Sequence, residues 1–200
     1  MNETQAARKK VLRAELRQMR RDHVAALPDA TRALIMRRPP APMLTMIGDD
    51  AVIGLYHAAR HEAPTRHYAR FFQEAYHRIA LPAFTGRDAP MDFREWTDPW
   101  DDGDLGDGPF GMAQPMADAA TLVPDMLIVP LVGFTAMGDR LGQGGGHYDR
   151  WLAAHRDTVA IGMAWDVQEV DMLPTEPHDR PLDAVITPTR FFGPFAKVRA

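Results

Sequence analysis

Residues 125–152 read DMLIVPLVGFTAMGDRLGQGGGHYDRWL, and this stretch predicts a strand, a glycine-rich loop and a helix in that order. The apolar run 126–132 has the length of a strand buried on both faces. Six glycines lie within 133–146, and helical spacing then resumes, with Tyr148 and Leu152 four residues apart. We expect a catalytic loop between the strand and the helix.

Such a loop suits an anion, because glycine lets backbone N–H groups approach a ligand and the first turn of a helix has amides without partners. It is not a Walker A motif, since no Gly-Lys-Ser/Thr follows, and it lacks the third glycine of the dinucleotide fingerprint. The alternative is a flexible surface connection, although so many glycines carry a large ordering entropy without a ligand. The pattern alone indicates an anion-binding loop and no particular anion.

Length and composition predict one domain over residues 1–200, because 200 residues with 46% hydrophobic content can bury one core. The net charge of −4 gives no bulk attraction to nucleic acid or to an anionic membrane. No apolar run has the length of a membrane span, and the polar start lacks the core of a secretory signal. The absence of cysteine leaves carboxylate, His or water as metal ligands. We expect a cytoplasmic monomer that binds small molecules and neither nucleic acid nor membrane.

Residues 4–21 carry apolar side chains at spacings of four and three, which predicts an amphipathic helix. A basic stripe runs beside the apolar one and consists of Lys9, Arg13, Arg17 and Arg20. The stripe has three interpretations: a solvated face, a nucleic-acid surface, or a helix from which Lys9 and Arg13 reach a phosphate held elsewhere. The acidic balance of the whole chain counts against nucleic acid.

The remaining elements predict an α/β fold, a single-domain, three-layer α/β/α architecture with a mostly parallel central sheet, Rossmann-like in type. The predicted strands are 51–57, 79–84, 126–132, 159–165 and 182–187. A short helix from Pro28 and Asp29 is expected to stop at the Pro39–Pro40 pair, and another to run from Thr65 to Arg78. The second is expected to bury Ala69, Phe72, Ala75 and Tyr76. Residues 85–124 are expected to form a long excursion with one short hairpin. Its aromatic side chains either enter the core or stack on a flat ligand, and the core is favoured for Trp96 and Trp100.

Two loops carry further candidate groups. Glu62 follows the first strand, where ligand groups sit in open α/β sheets, although a lone loop glutamate is more often solvated. The segment LPTEPHDRPLD, residues 173–183, contains His178, Asp179 and Asp183. It is either a turn with a capping role or a contact for Mg²⁺, a hard cation that prefers carboxylate oxygens.

Together these pieces resemble the 5-formyltetrahydrofolate cyclo-ligase family, also called methenyltetrahydrofolate synthetase. The resemblance begins with K-x-x-x-R at Lys9 and Arg13, Glu62 and FGMAQP at 110–115. Residues 130–152 are similar to the family signature P-x-x-x-F-x-x-x-G-x-R-L-G-x-G-x-G-x-Y-D, and IGMAWDVQ and EPHDRPLDAVIT follow in the expected order. The resemblance covers most of the chain outside residues 85–109 and the last dozen.

The resemblance implies an enzyme that uses ATP and Mg²⁺ to convert 5-formyltetrahydrofolate to 5,10-methenyltetrahydrofolate, releasing ADP and phosphate. The formyl oxygen is a poor leaving group, so the γ-phosphoryl group is placed on it and N10 of the folate then closes on the activated carbon. This chemistry asks the protein mainly for positioning and charge neutralisation.

The resemblance also implies roles for the residues on the nucleotide side. Lys9 and Arg13 are implied to grip the ATP phosphates from the first helix. The loop contributes Gly138, Arg140, Leu141, Gly142, Gly144, Gly145, Gly146 and Tyr148. Asp149 and Asp179 are implied to hold Mg²⁺, partly through water, and the implied catalytic residues are Arg140, Tyr148 and Asp149.

On the folate side the implied contacts are His57, Glu62, Phe110, Gln143, His147 and Tyr148. Glu62 is implied to contact the pterin or its reacting edge, and Phe110 to form a wall against it. Two positions depart from the family pattern: His147 stands where the family often has Tyr, and Gln143 where relatives often have Tyr or Arg. Folate contacts are therefore expected to be altered, and an imidazole there titrates near neutral pH.

Three other functions compete with this one. A paralogue that binds nucleotide or folate without turnover is disfavoured, since a pure binder needs no Mg²⁺ pair. A generic α/β enzyme for sugar phosphates or nucleotides would need only the glycine-rich loop. RNA binding through the first helix would depend on Arg17 and Arg20 rather than on Lys9 and Arg13.

Overall fold

The computed structural model describes residues 3–176 and 179–195 of the chain. Its helices are α1 (Glu3–Ala26), α2 (Asp29–Leu34), α3 (Ala41–Leu44), α4 (Arg66–Glu74) and α5 (His147–Ala154). Its strands are β1 (Ile53–Gly54), β2 (Ile79–Ala83), β3 (Asp92–Glu95), β4 (Leu105–Asp107), β5 (Ala113–Pro115), β6 (Met126–Pro130), β7 (Gly133–Phe134), β8 (Arg140–Leu141), β9 (Val159–Met163), β10 (Ala184–Ile186) and β11 (Phe191–Phe192). A 3-10 turn spans Asp166–Gln168.

The main sheet has seven strands in the order β11-β10-β9-β6-β1-β2-β3. The five inner strands are parallel, and β11 and β3 add antiparallel edges. These inner strands are the five predicted from apolar runs, with β1 shortened to two residues. Two small antiparallel pairs, β4-β5 and β7-β8, lie outside the main sheet. The mostly parallel α/β fold is thereby confirmed.

Alternate strand residues point to opposite faces of the sheet and are covered from both sides. On one face Ile128 packs in a cluster that includes Tyr68 and Phe72 of α4. On the other face Leu127 packs in a cluster that includes Trp151 and Leu152 of α5. Burial on both faces explains why β6 reads as a continuous apolar run.

Helix α1 packs beside the exit of β6 through Leu16, which is buried against Val132 and Leu141. The approach is close enough to require glycine at position 133, because a Cβ atom there would lie 2.6 Å from Leu16 Cδ1. This packing holds the basic stripe of α1 beside the glycine-rich loop.

Three details of the expected helices are wrong. Helix α1 continues to Ala26. Helix α2 ends at Leu34, before the proline pair, because Ile35 takes an extended backbone with ψ 140°, and Met36 follows with a left-handed φ of 54°. Helix α4 ends at Glu74, since Tyr76 has a φ of 67°. Tyr76 is consequently 96% exposed and is not in the core, and Ala75 is exposed as well.

The excursion contains the expected hairpin, formed by β4 and β5, and also the edge strand β3. Trp96 is buried as predicted, but Trp100 is 47% exposed, so its expected place in the core is wrong. Trp100 instead lies in a turn whose backbone carbonyl accepts hydrogen bonds from Arg66 and Arg70 of α4. The chain there is held by polar contacts and not by burial of the ring.

Candidate functional site

The candidate site lies at the carboxyl ends of the parallel strands, the edge where open α/β sheets bind ligands. The segments that leave β1, β2 and β6 carry Glu62, Phe84 and the glycine-rich loop. Helix α1 borders the loop through its basic stripe. The fold therefore gathers groups from the first, second and last thirds of the chain.

Two arginines of α1 bind consecutive carbonyl groups of the glycine-rich loop. Arg13 Nε donates to the carbonyl of Gly142 at 2.9 Å, and Arg17 Nη2 donates to the carbonyl of Gln143 at 2.9 Å. Arg17 also donates to the Gln143 side-chain oxygen, from Nη2 at 2.9 Å and from Nε at 3.2 Å. Because the arginines are one helical turn apart, α1 holds the loop at two adjacent points.

The loop depends on glycine at two positions with left-handed backbone. Gly144 has φ 109° and lies beside the Arg13 guanidinium, and Gly146 has φ 65° and is the N-cap of α5. A glycine N-cap offers no side chain to the first amides of the helix, which leaves those amides available to a ligand. A Cβ atom at Gly145 would lie 2.7 Å from His147 Cδ2, so a larger residue there would displace the His147 ring.

Two of the expected loop residues lie farther back in the structure. Gly138 is buried in the turn between β7 and β8, and its N–H donates to the Thr135 carbonyl. Leu141 is buried in β8 and pairs with Gly133. Both residues are buried under the loop and have almost no exposed surface to offer a ligand.

Lys9 forms two ion pairs across nearly the whole chain, with Glu176 Oε2 and with Asp179 Oδ2, both at 2.7 Å. Asp179 Oδ2 also accepts the backbone N–H of Glu176 at 2.7 Å. Burial by itself lowers the pKa of Lys9, but the hydrogen bonds and charges of the two carboxylates outweigh it and raise that pKa. Lys9 is therefore a buried ammonium group that is charged at neutral pH. His178, beside Asp179, lies outside the described residues.

Arg140 and Asp149 form a second pair. Arg140 Nη2 donates to Asp149 Oδ1, and the Arg140 side chain is almost fully buried. Arg140 Nε is buried and has no hydrogen-bond partner among the described residues. Asp149 Oδ1 also accepts the backbone N–H of Arg180 at 3.3 Å. The carboxylates of Asp149 and Asp179 therefore lie near one peptide unit, although they come from α5 and from the loop before β10.

The described residues contain no group of three or more His, Cys, Asp or Glu side chains arranged to hold a metal ion. Asp149 and Asp179 offer two hard carboxylate ligands and no more. This donor set fits Mg²⁺, which keeps several waters and binds through one or two carboxylates plus substrate phosphates.

Glu62 contacts the glycine-rich loop at Gln143, away from the Arg140–Asp149 pair. Its Oε2 accepts the N–H of Ala59 at 3.0 Å, and its Oε1 accepts the side-chain amide of Gln143 at 2.9 Å. Arg20 Nη1 is 3.8 Å from the same Oε1. Burial and the charge of Glu62 raise the pKa of Tyr148, so its phenol remains a hydrogen-bond donor at neutral pH.

His57 leaves the end of β1 and turns toward the excursion. Its Nε2 lies 3.3 Å from Asp102 Oδ2, and Asp102 also pairs with Arg66. The His57 ring meets Trp96 edge to face at 6.3 Å. These contacts leave the role expected for the His57 backbone untested.

Three rings meet where the hairpin reaches the loop. The Phe84 ring contacts Phe110 at 4.9 Å and His147 at 5.0 Å, both edge to face. Gln114 fixes Phe84 by accepting its backbone N–H at 3.0 Å and donating to its carbonyl at 3.1 Å. Burial and the charge of Arg150 lower the pKa of His147, so its ring is neutral at neutral pH.

Sequence reasoning missed three residues that organise the site: Arg17, Gln114 and Glu176. Arg17 carried a signal, since it shares the basic stripe of Lys9 and Arg13. Gln114 lies within the FGMAQP segment, whose role as a hairpin anchor only the structure reveals. Glu176 shares Lys9 with the predicted Asp179.

The chain matches the model of the 5-formyltetrahydrofolate cyclo-ligase family over residues 5–188. It is 46% identical over 83 residues to the 5-formyltetrahydrofolate cyclo-ligase of Escherichia coli K12, covering 38% of this chain and 46% of that protein. It is 40% identical over 79 residues to the enzyme of the same name from Haemophilus influenzae, covering 36% and 42%. The matched stretches thus span less than half the length of these curated relatives.

Two solved structures share the fold. The 5,10-methenyltetrahydrofolate synthetase of Aquifex aeolicus superposes with a TM-score of 0.73 at 23% identity, covering 96% of this chain and 95% of that one. The enzyme of the same name from Mycoplasma pneumoniae gives 0.64 at 24% identity, covering 89% and 97%. In the described part of the chain, no helix is long and apolar enough to cross a bilayer.

Proposed function

Because this chain belongs to the 5-formyltetrahydrofolate cyclo-ligase family, we propose that it cyclises 5-formyltetrahydrofolate to 5,10-methenyltetrahydrofolate at the expense of ATP. The observation that carries this proposal is the position of Gln143. It lies in the loop proposed to hold phosphate and at the same time donates to Glu62, the group proposed to meet the pterin. The two substrates would therefore meet across a single residue.

The nucleotide side gathers a cluster of cations, of which Lys9 and Arg140 are paired with carboxylates in the free chain. Arg13 and Arg140 lie against the loop at Gly142, whose backbone a ligand can approach closely, and Lys9 lies one turn before Arg13 on α1. Arg140 Nε is a buried donor without a described partner, and a phosphate oxygen would satisfy it. We assign the ATP phosphates to this cluster.

To bind phosphate, Lys9 must exchange its carboxylate partners for phosphate oxygens. Lys9 Nζ lies 2.7 Å from carboxylate oxygens of both Glu176 and Asp179. A polyanion that binds Lys9 would leave these carboxylates without their cationic partner, close to Asp149. Mg²⁺ held by Asp149 and Asp179 would screen the charge on the transferring phosphoryl group. The residues of the chain supply positioning and charge, the two requirements of phosphoryl transfer.

On the folate side, the protonated Tyr148 phenol and the Glu62 carboxylate offer a donor and an acceptor close together. Glu62 would accept from the pterin and orient the formyl group toward the γ-phosphoryl group. The formyl oxygen then attacks the γ-phosphorus and ADP leaves, N10 attacks the formyl carbon and loses its proton, and the C–O bond breaks as phosphate leaves. Phe110, His57 and His147 would border the pterin.

The test is turnover of purified protein with ATP, Mg²⁺ and 5-formyltetrahydrofolate, followed by the near-ultraviolet absorption of the methenyl product. Absorbance that rises only when all three are present supports the ligase. Folded protein that binds ATP or folate but gives no rise overturns the catalytic proposal and favours the non-catalytic paralogue. Turnover independent of folate, measured as phosphate release, would indicate a different α/β phosphotransfer enzyme.

A further inference from the structure

A cavity of about 500 Å³ opens beside His147, where the segment after β2 meets the first turn of α5. Its lining residues are Arg87, Asp88, Ala89, Pro90, His147 and Arg150. The volume falls within the range of small-molecule pockets. The family signature assigns no role to Arg87 or Arg150, so most of the charge in this cavity is left unexplained by the phosphate site.

The cavity has a net positive charge. Two guanidinium groups line it, and Asp88 is the single carboxylate in its lining. Neither Arg87 nor Arg150 forms an ion pair with a carboxylate within the described ranges 3–176 and 179–195. Arg150 instead donates to His147 Nδ1 at 3.1 Å, which adds no compensating negative charge. Two unpaired arginines at one cavity favour an anionic ligand, since guanidinium groups bind carboxylates in bidentate pairs.

An exposed aromatic face lies next to these charges. Phe110, at the tip of the hairpin, is 42% exposed. Its ring centroid is 5.6 Å from that of His147 and 5.9 Å from Arg87 Cζ, so it contacts two residues that line the cavity. The surface therefore suits a ligand that joins a flat ring to carboxylate groups.

We propose that this cavity binds the aminobenzoyl-glutamate end of the folate, with Arg87 and Arg150 pairing with its carboxylates and Phe110, at the border between the pterin and the cavity, lying against its benzoyl ring. The proposal rests on the proposed function, which supplies the ligand. The position agrees with the rest of the site, because His147, which lines the cavity, also contacts Phe84 and Phe110, beside the proposed pterin site. Lys9, Arg13 and Arg140, the cations assigned to the ATP phosphates, do not line this cavity. Arg150, in contrast, lies both in its lining and beside Gly146 of the glycine-rich loop, so ATP is included among the probes.

The experiment measures equilibrium binding by calorimetry, so that it does not depend on turnover. The proteins are the wild type, Arg87→Gln, Arg150→Gln and the double variant, and the probes are 5-formyltetrahydrofolate, ATP and 5-formyl-6-methyltetrahydropterin, which lacks the aminobenzoyl-glutamate. We expect each single variant to weaken folate binding about three- to tenfold, the double variant more, and Arg150→Lys to restore part of the loss. Binding of the pterin and of ATP should change less than twofold.

Arg156→Gln is the matched control, because Arg156 is exposed at the far end of the α5 segment and does not line this cavity. Folate binding within twofold of wild type in the double variant overturns the proposal, as does an equal loss for the truncated pterin. A loss of affinity for ATP alone overturns the proposal and assigns the cavity to the nucleotide. A wild type that binds folate without turning it over removes the catalytic proposal alone, whereas a wild type that binds no folate overturns both.

Discussion

The side-chain amide of Gln143 donates a 2.9 Å hydrogen bond to the carboxylate of Glu62. Gln143 is in turn held by Arg17, which binds both its backbone and its side-chain carbonyl oxygens. A residue of the first helix thus fixes the loop residue that contacts Glu62. Arg17 holds the loop backbone, whereas the Gln143 side chain forms hydrogen bonds with Arg17 and Glu62. Substitutions at the two positions should therefore weaken the binding of different sets of substrates.

We expect Arg17→Gln to raise the KM for ATP and for folate, each about fivefold, because the loop backbone loses one of its two attachments to α1. Gln143→Ala should raise the KM for folate alone, since the backbone contact from Arg17 remains. Steady-state kinetics with each substrate varied will separate the two. Arg21→Gln, an exposed change one turn along α1, is the control. An equal effect of Gln143→Ala on both substrates would contradict this division.

Asp149→Asn should lower turnover by orders of magnitude, because the amide is a poor Mg²⁺ ligand and leaves phosphoryl charge unscreened. The variant should also melt at a lower temperature than wild type, since the buried Arg140 loses an ionic partner. Turnover is to be measured well below that melting temperature. Asp157→Asn, an exposed change beyond α5, should keep both properties. Near-normal turnover in Asp149→Asn would remove this carboxylate from the mechanism.

Removal of Mg²⁺ by a chelator should abolish turnover and leave the melting temperature of the free protein unchanged. The reason is that Lys9 and Arg140 already balance Asp179 and Asp149 in the folded chain. Thermal melts with and without Mg²⁺, each in the presence and absence of ATP, check this. Stabilisation by Mg²⁺ alone would mean that the ion binds before the nucleotide.

Gly133→Ala should destabilise the protein by about 1–3 kcal/mol, because its Cβ would lie 2.6 Å from Leu16 Cδ1 and push α1 from β7. ATP binding should weaken as well, since α1 carries Lys9 and Arg13. Chemical denaturation and ATP titration provide the two measurements. The matched control is Gly48→Ala, where an added Cβ meets no atom within 4 Å. If Gly133→Ala binds ATP normally, the packing of α1 does not control the phosphate site.

The Arg78–Glu95 pair should make a small part of the stability depend on pH. The hydrogen bond from Arg78 lowers the pKa of Glu95 below its ordinary value of 4.5. The contribution is therefore present above pH 4.5 and lost as pH falls through the lower folded-state pKa. Arg78 is half exposed, so Arg78→Gln should cost only ~0.3 kcal/mol at pH 7 and nothing in strong acid. A difference that persists unchanged in acid would exclude the ion pair as its source.

The sequence predicts this fold well where apolar runs are long and poorly where the chain is held by polar contacts. Strands such as Met126–Pro130 are buried on both faces and leave an apolar run that is easily read. The end of α4 depends on the left-handed backbone of Tyr76, which no side-chain pattern announces. The edge strand Asp92–Glu95 has one buried residue, so its sequence shows almost no alternation of apolar and polar residues.

The same contrast holds within the site. The glycines and the Lys9–Arg13 spacing are visible in sequence, because helical period and glycine content are local properties. The contact between Arg17 and Gln143 joins residues 126 positions apart, and local patterns say nothing about which distant group a cation will meet. The metal and folate roles were therefore predicted from the family resemblance, whereas the ion pairs and hydrogen bonds that hold the site together are seen only in the structure.

The ion pairs of Lys9 join positions 167 and 170 residues apart in the chain. Until Glu176 and Asp179 have emerged from the ribosome, this ammonium group lacks the two carboxylates that pair with it in the folded chain. The proposed phosphate site is thus among the last features to form during synthesis. A polypeptide interrupted before residue 176 would carry every glycine of the loop and the arginines of α1 that bind it, but neither carboxylate partner of Lys9, so the proposed nucleotide site is complete only when the far end of the chain has been made.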